Sequence, residues 1–187
     1  LSSDTLGSRS TALGFSALET QNFTTATDAY NVAVGYQAGN DITTGLRNNL
    51  LGGLAGDALT DGNDNVAIGY QALTADTQGD NSVAIGNNAL FSQNGTNGSV
   101  YNVAVGKNAG FAITTGTNNT IMGGLAGDAL TTGSFNVALG VAALGADDLG
   151  SHAVAVGYGA LESQNYATAT NGYNTAVGSN AGYAVTT

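Results

Sequence analysis

The sequence predicts an all-β fold, a parallel β-roll or solenoid of about ten coils, and three observations carry that expectation. A glycine recurs at Gly14, Gly35, Gly52, Gly69, Gly86, Gly106, Gly123, Gly140, Gly157 and Gly178, at intervals of 21, 17, 17, 17, 20, 17, 17, 17 and 21 residues. Each is preceded by a large apolar residue and followed three positions later by alanine, from Ala17 to Ala181. The stretches between these anchors are short and rich in Gly, Asn and Thr, which disfavours helices of useful length. A fixed internal period outranks any residue-by-residue reading of propensity.

The coil can be followed through Asn65-Val66-Ala67-Ile68-Gly69. Its apolar residues are consecutive rather than alternating, which predicts a short strand buried on both faces, Val66 and Ile68 on one and Ala67 on the other. After the Gly69 turn, Tyr70-Gln71-Ala72-Leu73 reads as a second short strand with one face inward. Thr74 to Asp80 then forms a polar spacer to the next coil. Stacking at ~4.8 Å per coil gives a rod on the order of 48 Å long. Four residues before the anchor stands Asn in seven copies (Asn31, Asn48, Asn65, Asn102, Asn119, Asn136, Asn174), Ser at Ser10 and Ser82, and Ala at Ala153. These are expected to stack as a ladder whose amides bond the turn backbone or one another.

A longer period of 71 or 72 residues overlies the first, so the unit of duplication is a four-coil block. Gly53 to Thr60 returns as Gly124 to Thr131, and Ala17 to Phe23 returns as Ala160 to Tyr166. Two before the anchor, eight copies carry Ala, whereas Leu50 and Ile121 replace it in the same two coils that carry Gly53 and Gly124 after the anchor. Near-constant packing volume predicts that those glycines make room for the larger side chains. The whole of 1–187 reads as one continuous repeat domain, and Ala184 to Thr187 matches the middle of earlier copies, so the chain is expected to be a segment of a longer protein.

Composition narrows the functional classes. Thirteen acidic against three basic side chains, a formal charge of −10, disfavour nucleic acid and anionic membranes. The absence of cysteine removes disulfides and thiolate metal sites. No apolar run approaches the ~18 residues of a membrane helix, so no membrane insertion is expected. A narrow roll would leave much apolar strand surface facing water, which predicts homotrimerisation about a common axis.

The motif Asn-[Ser/Thr/Val]-Ala-[Val/Ile]-Gly-x-x-Ala, closest in Asn81-Ser82-Val83-Ala84-Ile85-Gly86, resembles the head repeat of YadA-like trimeric autotransporter adhesins and related phage and bacterial tail-fibre repeats. The resemblance covers essentially the whole chain. It implies a left-handed parallel β-roll, three of which pack through the Val-Ala-Ile-Gly strands. The period of 17 with steps of 20 and 21 is longer than the typical adhesin repeat, which favours the fibre-like branch.

Chemistry-bearing constellations are few, and no catalytic, cofactor-binding or metal-binding residue is expected. His152 is the only histidine and reads as a solvated turn residue rather than a ligand or triad member. Asp147-Asp148 and the group Asp57, Asp61 and Asp64 lack the spacing of calcium-binding β-rolls and read as solvated loop charge. Four sequons, beginning at Asn22, Asn94, Asn97 and Asn118, are what an Asn/Thr-rich composition produces by itself. The long connections Asn22–Tyr30, Gln93–Tyr101 and Asn165–Tyr173 recur at four-coil intervals, flanked by Phe23, Tyr30, Phe91, Tyr101, Tyr166 and Tyr173. They are the candidate contact loops, a periodic row for a glycan, a cell-surface receptor or a neighbouring fibre. The expected function is therefore a non-enzymatic extracellular fibre or adhesin segment at a cell or virion surface. A self-assembling extracellular filament is the alternative. An ice-binding solenoid ranks lower, because Thr43-Thr44 and Thr114-Thr115 pairs occur in only some coils.

Overall fold

A computed structural model describes residues 1–95 and 98–186. Ten three-residue strands, Thr11–Leu13, Val32–Val34, Asn49–Leu51, Val66–Ile68, Val83–Ile85, Val103–Val105, Thr120–Met122, Val137–Leu139, Val154–Val156 and Thr175–Val177, form one parallel sheet in chain order. Each strand pairs with its equivalent one coil on, Ala67 with Ala84 and Ala84 with Ala104. The chain is thus an all-β parallel solenoid of about ten coils, numbered below by anchors Gly14 to Gly178.

The anchor glycines are required by the stacking itself. All ten have φ between 129° and 143°, a region that residues with a Cβ seldom enter. In coils 1 to 9 an ideal Cβ would stand 2.3–2.6 Å from the carbonyl oxygen of the next anchor. The coils are as close as backbone allows at that point.

The expected second strand is absent, and a turn takes its place. In every coil the second and fourth residues after the anchor are left-handed, for example Gln71 (φ 55°) and Leu73 (φ 57°), and so is the residue five before it, for example Asp64 (φ 59°). Three such residues per coil are costly for non-glycine side chains. Their N–H groups offset the cost by bonding neighbouring coils: Gln71 N–H donates to the Gly53 carbonyl, and Leu73 N–H donates to the Ala89 carbonyl, 3.0 Å each. The recurrent alanine is explained at the same time. Its Cβ is buried, and its carbonyl accepts from the fourth-position N–H of the preceding coil, as Ala72 does from Gly56 at 2.9 Å.

The interior is a column of alanines, replaced by Leu50 and Ile121 in coils 3 and 7, with one large apolar group beside it in each coil. Coils 2, 3, 6 and 7 carry Gly39, Gly56, Gly110 and Gly127 at the fourth position and Ile42, Leu59, Ile113 and Leu130 at the seventh. Coils 4, 5, 8 and 9 reverse this, with Leu73, Leu90, Leu144 and Leu161 at the fourth and Asp76, Gln93, Asp147 and Gln164 at the seventh. The volume compensation for Leu50 and Ile121 is therefore real but falls elsewhere than expected. A Cβ on Gly56 would lie 2.9 Å from Leu50, and one on Gly127 3.0 Å from Ile121, whereas Cβ atoms on Gly53 and Gly124 would meet nothing closer than 3.6 Å and 3.9 Å.

Candidate functional site

On the ten-stranded sheet the middle residue of each strand faces the interior and its two neighbours face outward. Ala67 is fully buried, while Ile68 and Met122 are 37 % and 46 % exposed. In the single chain these strands are therefore buried on one face only. Val32, Val66, Val83, Val103, Val137 and Val154, together with Val34, Leu51, Ile68, Ile85, Val105, Met122, Leu139 and Val156, make an apolar stripe along the rod. Next to it stand the exposed rings of Phe15, Tyr36, Tyr70 and Tyr158, the first two stacked with centroids 5.7 Å apart.

The entry asparagines form the predicted ladder, with both amide ends used. Asn48 Oδ1 accepts the Asn65 N–H of the next coil at 3.0 Å, and Asn48 Nδ2 donates to the Gly62 carbonyl of its own coil at 2.8 Å. Six of the seven, Asn31 to Asn136, are buried, so loss of either bond would leave a polar group without a partner.

Where Ser82 interrupts the ladder, a buried network bridges the gap, and the sequence reading missed it. Gln93 Nε2 donates to Asp76 Oδ2 at 2.5 Å and to Ser82 Oγ at 2.9 Å, while its Oε1 accepts from Asn102 Nδ2 at 2.9 Å. Asp76 Oδ1 accepts the N–H groups of Gly79 (2.9 Å) and Gly95 (3.1 Å). The arrangement recurs as Asp4–Gln21–Asn31 and as Asp147–Gln164–Asn174. Burial raises the Asp76 carboxyl above the usual range, against the opposing pull of its hydrogen bonds. The available signal was an Asp and a Gln 17 residues apart, repeating with the four-coil period. Asp147 is accordingly fully buried and held by Gln164, which corrects its reading as solvated loop charge.

The six candidate contact aromatics divide. Tyr30, Tyr101 and Tyr173 are exposed, and each occupies the left-handed position five before an anchor, four coils apart. Phe91 is half-buried and stacks on Phe111 with centroids 5.0 Å apart. Phe23 (6 % exposed) and Tyr166 (9 %) are turned into their own loops, the Tyr166 hydroxyl accepting from Asn174 Nδ2 at 3.0 Å. Those two are structural and leave the contact set. Two residues of each long connection are paired with an earlier coil. Thr27–Asp28, Gly98–Ser99 and Thr170–Asn171 pair in parallel with Gly7–Ser8, Gly79–Asp80 and Gly150–Ser151.

The edge lined by Tyr30, Tyr101 and Tyr173 also carries the charged contacts. Arg9 donates to the Tyr30 hydroxyl at 2.6 Å and pairs with Asp28, and Arg47 makes a two-pronged pair with Asp64 at 2.6 and 2.7 Å. That contact lowers the Asp64 carboxyl below its ordinary value. His152 is half-buried, stacked on Phe135 and tilted against Tyr173 with both centroids 5.0 Å away, so it is packed rather than simply solvated. Asp57 accepts from Thr74, Asp61 accepts from Thr60, and among the described residues no three His, Asp or Glu side chains are gathered to hold a metal ion. Asn22, Asn94 and Asn118 of the sequons are exposed; Thr96 and Asn97 lie outside the described residues, as does Thr187. Comparison with known proteins returned no match to a family model, to a curated protein or to a solved structure.

Proposed function

We propose that the chain is a structural, non-enzymatic segment of an extracellular fibre or adhesin, three copies of which pack as left-handed rolls about a common axis at a cell or virion surface. The observation that carries this reading is the outward apolar stripe, which runs the length of the sheet from Leu13 to Val177 and which no part of the single chain covers among the described residues. A continuous stripe of that length marks an interaction surface. Because every coil presents it in the same register, a cyclic arrangement of identical rods covers all of it at once. Tyr30, Tyr101 and Tyr173 would then offer repeated weak contacts for a glycan, a receptor or a neighbouring fibre. The ice-binding alternative loses support from the threonine hydroxyls, since Thr43, Thr60, Thr114 and Thr131 donate to carbonyls of the next coil.

Sedimentation equilibrium tests the reading. The expected mass is three times the 18.4 kDa of one chain, and a stable monomer would overturn the proposal. Ile68→Glu together with Val105→Glu, both on the stripe, should give folded monomers, because neither side chain reaches the interior.

A further inference from the structure

Coils 9 and 10 carry a depression of about 420 Å³ bordered by Tyr158, Glu162, Asn180 and Tyr183. A departure from the repeat lies beside it. At the second position after the anchor nine coils have a side chain, Ser16, Gln37, Leu54, Gln71, Asn88, Asn108, Leu125, Ala142 and Asn180, and only Gly159 has none. Over that gap two polar ends converge: an ideal Cβ on Gly159 would stand 2.6 Å from Asn180 Oδ1 and 2.8 Å from Glu162 Oε2. A carboxylate and a carboxamide thus face one small space with acceptors and donors for vicinal hydroxyls.

The aromatic rings are arranged to match. At the two earlier junctions of the same coil types the rings stack on each other, Phe15 on Tyr36 at 5.7 Å and Phe91 on Phe111 at 5.0 Å. At this junction Tyr158 follows the anchor of coil 9 directly, while Tyr183 stands five residues after the anchor of coil 10. The two rings are therefore offset along the coil, on different borders of the hollow, and both are exposed. Concave sites with aromatic walls and a few convergent polar groups are built for small molecules.

We propose that this depression binds a neutral pyranose ring. The C–H faces of the sugar lie on the tyrosines, and adjacent hydroxyls bond Glu162 and Asn180. Glu162 and the chain's charge of −10 turn away anionic sugars. The proposal stands apart from the fibre reading, since the four residues belong to two successive coils of one chain.

Saturation-transfer NMR on the full chain, with methyl β-D-glucopyranoside and methyl β-D-galactopyranoside as probes and choline chloride as competitor, tests it. Transfer to the ring protons of at least one glycoside is expected, at millimolar affinity. Gly159→Ala sets a methyl against Asn180 Oδ1 and Glu162 Oε2, at the left-handed backbone cost that Ala142 already bears with φ 55° at the same coil position, and should weaken binding tenfold or more. Tyr158→Ala should do the same, while Tyr70→Ala, the same position in coil 4, leaves binding unchanged. The proposal is overturned by no transfer to either glycoside, by equal affinity of Gly159→Ala and the parent chain, or by choline displacing the sugar through preferred binding.

Discussion

Coils 2 and 3 fill the cross-section of the rod in the opposite way to coils 4 and 5. In the first pair the space left by Gly39 and Gly56 is taken by Leu50, Ile42 and Leu59, and the seventh position is apolar there. In the second pair Leu73 and Leu90 take that space, and Asp76 and Gln93 occupy the seventh position. Both arrangements recur in coils 6 to 9. The difference teaches why the protein repeats every four coils rather than every one. A longer connection follows coil 5, the asparagine ladder is interrupted there at Ser82, and Gln93 reconnects Ser82, Asp76 and Asn102 across the interruption. The polar pair therefore accompanies the insertion, and the apolar pair belongs to regular coils.

Breaking the polar pair should have the largest effect. Gln93→Leu leaves Asp76, Ser82 and Asn102 short of buried partners and is expected to cost about 3–5 kcal/mol in urea unfolding at neutral pH. Unaltered stability would show that the network is not what holds the two coils together. A smaller loss, about 1–3 kcal/mol, is expected for Gly56→Ala, whose new methyl meets Leu50 and Leu59 at 2.9 Å in a left-handed backbone position. Adding Leu50→Ala to that variant should recover part of the overpacking; strict additivity of the two changes would separate Leu50 from the glycine.

The smallest effect sharpens the same contrast through pH. Burial raises Asp76, and also Asp57 and Asp128, above the usual carboxylate range. The folded chain then binds protons more readily than the unfolded one, so their contribution is present below the unfolded pKa and is lost as pH rises through the folded value. Urea midpoints should increase as pH falls from 7 toward about 4. Asp64, lowered by Arg47, works in the other direction, and its contribution is lost only further into acid. Asp76→Asn should flatten part of the rise, and a rise of unchanged slope would exclude Asp76 as one of its sources.

Much of the fold is legible before any coordinates. Gly69, Ala72 and Asn65 each recur because one backbone contact is repeated: an anchor too close to its neighbour for a Cβ, a carbonyl paired to the preceding coil, an amide bridging two coils. The stretch Tyr70 to Leu73 misleads, because a strand and a turn with alternate left-handed residues present similar residue types, and only backbone dihedrals separate them. Asp147 misleads in another way. A carboxylate amid Gly and Asp reads as solvated, and its partner Gln164 is 17 residues away, adjacent only once the coils are stacked.

The sequence alone determined the number of coils, the strand in each, the ladder of asparagines and the four-coil block, because a repeat is a linear record of contacts between equivalent residues of neighbouring coils. The tertiary structure alone decided which strand face is inside, where the space for Leu50 is made, and which polar side chains share the interior. Those depend on how the chain closes within one coil. Closure brings together positions such as 50 and 56, or 82 and 93, whose relation no period between coils records.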